Sequence, residues 1–289
     1  MEKYYIWLIQ LLKPANPVIH EILARYGDPK TAYEEISGGD TMFLTAKQSA
    51  SLSYHTLEKA ERVLNHCKEK GYSIITIGGP DYPALLSEIF NPPVVLFYRG
   101  SLACLEKLAI TVVGSRDITP YISKLCPRVC KDLALNGVTI VSGMARGVDS
   151  FAHNACINAG TPTVGVLACG IDFDYPAGSK EMREKIVLNG GAYLTELLPG
   201  TSPTPEYFKA RNRILAGLSR GTAVFQAGKD SGSLITASYA ADESRDVFCV
   251  PPPDIFDDRY AGVVSFLRDG AIPIFNHDDI LRQYEGIYL

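Results

Sequence analysis

The chain has 289 residues, 46% of them hydrophobic and 21% charged, enough for one large or two ordinary domains with well-buried cores. Twenty-eight Lys and Arg stand against 32 Asp and Glu, a formal net charge of −4. That excludes a generally basic surface, so a site for an anionic polymer must be a local patch.

The amino-terminal run MEKYYIWLIQLLKPANP carries one early lysine and an apolar stretch interrupted by Gln10, without a small-residue cleavage site. It fits neither a signal peptide nor a membrane span, and a cytoplasmic protein is expected. Seven cysteines are scattered without a CxxC pair. They are expected to be reduced packing residues, with no structural metal and no cofactor.

Residues 1–66 show helical periodicity and no strand. PVIHEILARYGDP predicts a helix opened by Pro17 and closed at Gly27. TAKQSASLSYHTLEKAERVLNHCKEKG predicts another, closed at Gly71. From Tyr72 the pattern changes to short β-branched runs alternating with helices. Strands are expected at 73–77, 94–98, 109–114, 138–143, 161–168, 192–197, 222–228 and 246–251. The later runs are nearly continuously apolar, as in parallel strands covered on both faces. The fold class is therefore α/β, a doubly wound, mostly parallel sheet over residues 67–289 preceded by a small all-α domain over 1–66.

In such a sheet ligands lie beyond the carboxyl ends of the strands, so the loops there carry the reading. Gly114-Ser115-Arg116 follows the third run. Ser142-Gly143 leads to Arg146, CGIDFDYPAGSK ends in Lys180, and GKDSGSLITA brings Ser231, Gly232 and Ser233 into a helix. Small residues at helix starts offer N–H groups and a positive dipole end to phosphate. The segment PEYFKARNRILAGLSR adds Lys209, Arg211, Arg213 and Arg220 beside Tyr207 and Phe208, an interleaving suited to single-stranded nucleic acid.

Three enzymatic readings compete with this cradle. GLSRG (217–221) matches a nucleophile elbow by letter, but a helix precedes it and a strand follows, the reverse of what an elbow requires. GSRDIT has only Gly114 where a dinucleotide site needs three glycines. In SGMARGVDSFAH, Asp149 and His153 share a helix face, as do Arg146, Asp149 and Ser150. No nucleophile motif accompanies them, so the expectation is an Arg146–Asp149–His153 lattice that locks the loop.

VVGSRDITPY, SGMARGVDSFAH, GIDFDYP, FKARNRILAGLS and SGSLITASYAAD, in this order, resemble the DNA-processing protein A family (DprA, also called Smf) from about Tyr72 to Ile280. The resemblance implies an extended Rossmann-like domain after a SAM-like helical domain, and a protein that is not an enzyme. It implies sequence-independent binding of single-stranded DNA, protection of incoming strands in natural transformation, loading of the RecA recombinase, and a homodimer. By motif position, Gly114, Ser115 and Arg116 would grip phosphate. Lys180, Lys209, Arg211 and Arg213 would line the strand's path, and Ser231-Gly232-Ser233 would close the pocket.

The chain departs from the family pattern in VPPPDIFD (250–257), at Val264, at Ser179 and at Ile122. The winged-helix domain that many members carry after the sheet is not expected here. In AGVVSFLRDGA, Val263, Phe266 and Leu267 form an apolar stripe that Val264 widens, the expected dimer surface. The alternative reading is a nucleotide-processing enzyme of the phosphoribohydrolase type, or a small-nucleotide sensor using the same cradle.

Overall fold

The computed structural model describes residues 1–286. Five helices come first: α1 (Glu2–Leu12), α2 (Val18–Tyr26), α3 (Pro29–Ser37), α4 (Ala46–Ala50) and α5 (Leu57–Lys70). Local chemistry sets their ends. Asp28 accepts from the N–H groups of Lys30 and Thr31 ahead of Pro29, and Gly71, at φ 69°, ends α5 in the left-handed conformation. The single helix expected between Thr45 and Gly71 is in fact two, because Thr56 caps α5 afresh after a short 3-10 turn over Leu52–Tyr54. α5 also carries the helical part through residue 70, past the boundary expected at residue 66.

The remainder alternates strand and helix: β1 (Ser73–Thr76), α6 (Ala84–Ser87), β2 (Val95–Gly100), β3 (Ala109–Val113), α7 (Pro120–Leu135), β4 (Thr139–Ser142) and α8 (Val148–Asn158). Then follow β5 (Thr163–Val166), α9 (Ser179–Leu188), β6 (Ala192–Thr195), α10 (Pro205–Gly217), β7 (Gly221–Val224) and α11 (Gly232–Asp242). The described chain closes with β8 (Asp246–Cys249), α12 (Ala261–Arg268), β9 (Ile272–Pro273) and α13 (Asp278–Leu281). All eight expected strands are present; β9 gave too short a signal to be read.

One nine-stranded sheet runs β1-β2-β6-β5-β4-β3-β7-β8-β9. β1–β2 and β2–β6 are antiparallel and every other pair is parallel. The winding reverses at β3: the chain proceeds through β4, β5 and β6 on one side, then returns to place β7 on the other. A doubly wound sheet opens a crevice at such a switch, between loops that diverge to opposite faces. β3 to β7 are buried along their whole length, which explains their unbroken apolar composition.

Three apolar clusters fill the structure. One lies under α7 and α8, built on Ile110, Val112, Cys126, Val129 and Cys156. A second, on the opposite face, joins Leu86, Val113, Ile214, Leu215 and Val263. The third runs from Ile6, Trp7 and Ile22 of the helical part into Val95, Phe97 and Tyr193 of the sheet. The helices thus share a core with β2 and β6. All seven cysteines are buried free thiols, and no helix among the described residues is long and apolar enough to cross a membrane.

Candidate functional site

The crevice at the switch is a cleft of about 610 Å³, with Gly114, Ser115 and Arg116 on one wall and Ser231, Gly232 and Ser233 on the other. Phe208, Arg211, Asn212 and Gln226 floor it. Each wall is held from behind. Gln226 braces the loop after β3 three times: its backbone carbonyl accepts from Ser115 N–H at 2.8 Å, its Nε2 donates to the Asp117 carbonyl at 3.0 Å, and its Oε1 accepts from Thr119 N–H at 3.0 Å. On the other wall, Ser231 caps α11 by accepting from Ser233 N–H, and Asn212 Nδ2 donates to the Gly232 carbonyl at 3.1 Å.

Two glycines are required by close approach. A Cβ on Gly114 would stand 2.5 Å from Val148 Cγ2, so the bare backbone lets β3 pack against the start of α8. Gly147 has φ 77°, and a Cβ there would meet the Ser115 carbonyl at 2.2 Å; that carbonyl instead accepts from Val148 N–H.

Arg211 occupies a different place from the one expected of it. It is 6% exposed, and its Nη1 donates to the carbonyls of Gly143, at 2.6 Å, and Val166. Gly143 lies outside the cleft lining; its missing side chain leaves room for Arg211 and for Asp149 Oδ2, each 2.7 Å from where a Cβ would be. Burial pushes the Asp149 carboxyl up, opposed by the Arg211 charge and by N–H donors including Ala145. Burial likewise lowers Arg211, opposed by Asp149. The expected Arg146–Asp149–His153 lattice is therefore corrected: the cation beside Asp149 is Arg211, from α10, while Arg146 is exposed. His153 is fully buried and faces Thr163 Oγ1 at 2.9 Å. Thr163 sends its own hydroxyl proton to the Ile140 carbonyl, so it accepts from the His153 Nδ1–H. This histidine is held inside the packing of α8 against β5.

Arg213 is corrected more fully. It points away from the cleft, its Nη2 2.5 Å from Glu196 Oε2, with both side chains 7% exposed or less. It lines a small void with Ala15 and His20 of the helical part and with Pro92. A residue one position past an inward-facing neighbour on a helix turns to another side, and the side open to Arg213 is the junction with the helical part. Of the remaining expected cations, Lys180 in the first turn of α9 and Lys209 on α10 are exposed. They sit with Arg146 on the carboxyl edge of the sheet, outside the cleft lining. The dimer stripe is corrected most clearly at Val263, which is fully buried in the core; Val264, Phe266 and Leu267 are half-buried, and Phe266 and Leu267 also pack in part against the cluster that holds Val263. The GLSRG serine, Ser219, is fully buried and donates to Thr111 Oγ1.

The cleft also brings in the expected aromatic Phe208 and several residues that the sequence did not single out. Phe208 lies 5.4 Å from the Arg116 guanidinium and 5.9 Å from that of Arg211, and stacks edgewise on Tyr175. A ring beside two cations offers a π face next to a phosphate-sized charge. Lys229 and Arg259 add two cations to the lining, and Asp117 and Asp230 two acids. Gln226 was visible only as an amide in an otherwise apolar strand, and Arg259 left no pattern at all. Among the described residues no three His, Cys, Asp or Glu gather as a metal site.

Residues 73–285 match the family model of DNA recombination-mediator protein A. The chain belongs to the DNA-processing protein A family. It is 37% identical to DNA processing protein DprA of Bacillus subtilis over 226 residues, covering 78% of this chain and 75% of the relative. The Streptococcus pneumoniae protein of the same name is 40% identical over 204 residues, 71% of each chain. The X-ray structure of the Streptococcus pneumoniae protein superposes with a TM-score of 0.80 at 32% identity, over 97% of this chain and 98% of that one. The Helicobacter pylori family member, whose solved structure concerns its single-stranded DNA binding mode, superposes at 0.67 with 30% identity, over 75% of this chain and 97% of that one. The doubly wound sheet with its preceding helices is thus the architecture of this family.

Proposed function

We propose that this chain binds single-stranded DNA without sequence preference, in the cytoplasm, through the cleft at the β3–β7 switch. The observation that carries the reading is the pairing of Gly114–Arg116 with Ser231–Ser233 across one crevice, floored by Phe208 at 5.4 and 5.9 Å from two guanidinium groups. Helix starts and small residues suit backbone phosphate, and an aromatic floor suits any base. The single-stranded DNA binding mode of the Helicobacter pylori relative supports it. Arg146, Lys180 and Lys209, exposed on the same edge, would extend the grip beyond the cleft. Arg211 would act from beneath, holding the loop and flanking Phe208.

The same reading makes the protein a non-enzymatic mediator that shields incoming strands during transformation and passes them to RecA. It would work as a homodimer, with Val264, Phe266 and Leu267 at the contact. The deciding experiment is a gel-shift series with single- and double-stranded oligonucleotides at several salt concentrations. Preference for the single strand is expected, with a log–log salt slope of roughly −3 if about four phosphates are neutralised. Equal affinity for duplex, or a flat salt response, would overturn it. Release of free base from nucleoside monophosphates would favour the enzymatic alternative instead.

A further inference from the structure

α7 presents Lys124, Arg128 and Lys131 on its outer side, spaced four and three apart, so they form one stripe. All three are exposed, and none has an ion-pair partner among the described residues. Elsewhere exposed cations often do: Lys30 with Glu34, Arg62 with Glu58, Lys185 with Glu181. In a chain of net charge −4, three uncompensated cations on one helix face make a local positive strip.

Two shallow hollows lie along that strip. Tyr121, Lys124 and Arg128 line one of about 360 Å³. Arg128 and Phe275 line the next, of about 260 Å³, and Phe275 is 63% exposed. Leu125 and Arg128 belong to both, so the hollows are continuous. Each therefore combines a cation with an aromatic ring. The strip also begins at the cleft: Arg116 and Asp117 line the cleft, Thr119 caps α7, and Pro120 lines the first hollow. The second hollow is lined on its other side by two acids, Asp132 and Asp278, both turned toward His277.

We infer that single-stranded DNA leaving the cleft continues down the outer face of α7, with backbone phosphates on Lys124, Arg128 and Lys131 and bases against Tyr121 and Phe275. The inference rests on the cleft being a DNA site, as proposed above. A polyanion complements the strip, and alternating cation and ring is the pattern that holds a strand irrespective of its sequence. Along the helix axis Lys124 and Arg128 are about 6 Å apart, close enough for neighbouring nucleotides of one strand to meet both.

The test compares two oligothymidylates on wild type and on a Lys124→Gln/Arg128→Gln/Lys131→Gln variant, one strand sized to the cleft (~6 nucleotides) and one of ~20. Wild type is expected to bind the longer strand more tightly. The variant should bind the short strand as wild type does, yet lose ~tenfold or more on the long one, its salt slope falling by about 0.7 per removed charge. Ultraviolet cross-linking of a bromodeoxyuridine strand should reach Tyr121 or Phe275 only with the longer oligonucleotide. A variant that keeps wild-type affinity and salt slope on the long strand overturns the path, and so does equal loss on both lengths. If wild type binds neither strand, the cleft reading itself has failed, a result separable from the first two.

Discussion

Arg211 Nη1 donates to the Gly143 carbonyl at 2.6 Å and ties the middle of α10 to the loop after β4. With Asp149 at the same glycine, a cation and a carboxylate from different helices are both buried around one backbone turn. Removing one charge of a buried arrangement leaves the other uncompensated, at about 3–5 kcal/mol. Arg211→Met should accordingly lower stability by about 3 kcal/mol in urea unfolding, while Lys180→Glu, on the surface, shifts it by no more than about 0.5 kcal/mol. An unchanged urea midpoint in Arg211→Met would show that the residue is peripheral.

His153 predicts the acid limit of the fold. Burial lowers its pKa from 6.5 to about 4. The folded protein keeps the ring neutral while the unfolded chain takes up a proton below 6.5. This contribution is therefore complete above pH 6.5 and is lost as the pH falls toward 4, at up to about 1.4 kcal/mol per unit. His153→Gln, which can still donate to Thr163 but does not titrate, should flatten the stability profile across that window. Unfolding midpoints measured from pH 4 to 7 for both proteins give the comparison; parallel profiles would contradict it.

Phe208→Ala should weaken single-stranded DNA binding by about 1–3 kcal/mol, the usual worth of one stacked base. Its ring is half-buried and touches the protein through Tyr175 and two arginines, so the loss should appear in Kd more than in the thermal midpoint. Fluorescence anisotropy with oligothymidylate provides the readout, and an unaltered Kd would remove the ring from the binding surface.

The half-buried side of α12 predicts a self-association behaviour that differs by position. Val264→Glu and Phe266→Glu should shift wild-type dimer to monomer in sedimentation velocity, because an apolar contact loses its driving force when a charge must be desolvated. Val263→Glu, inside the core, should instead unfold the protein. A monomeric wild type, or a dimer indifferent to both surface substitutions, would dismiss the contact.

Much of the architecture was legible because parallel strands covered on both faces write themselves as apolar runs, as β3 to β7 do; the other three expected strands were read from their β-branched and aromatic residues. The cleft walls were legible for a related reason: Gly114 and Ser231–Ser233 stand where strands end and helices begin. Arg211 and Arg213 were misread together. Their segment looks cationic in one dimension, yet the carbonyls of Gly143 and Val166 and the Glu196 carboxylate, distant in sequence, take both charges into the interior. Local spacing also misled at Asp149: Arg146 is near in the chain, but the cation that reaches its carboxylate comes from another helix. Val263 failed as a surface residue because a three-and-four stripe does not say which of its members faces the sheet.

The triple brace from Gln226 has a thermodynamic consequence for whatever enters the cleft. Backbone at Ser115, Asp117 and Thr119 is already immobilised before any ligand arrives, so the ordering entropy of that wall is spent during folding and not on association. In the strand binding proposed above, this wall would need no rearrangement to receive its ligand. The encounter rate should follow electrostatic steering, rising steeply as salt is lowered, while the departing strand leaves behind a wall that is ready at once for the next.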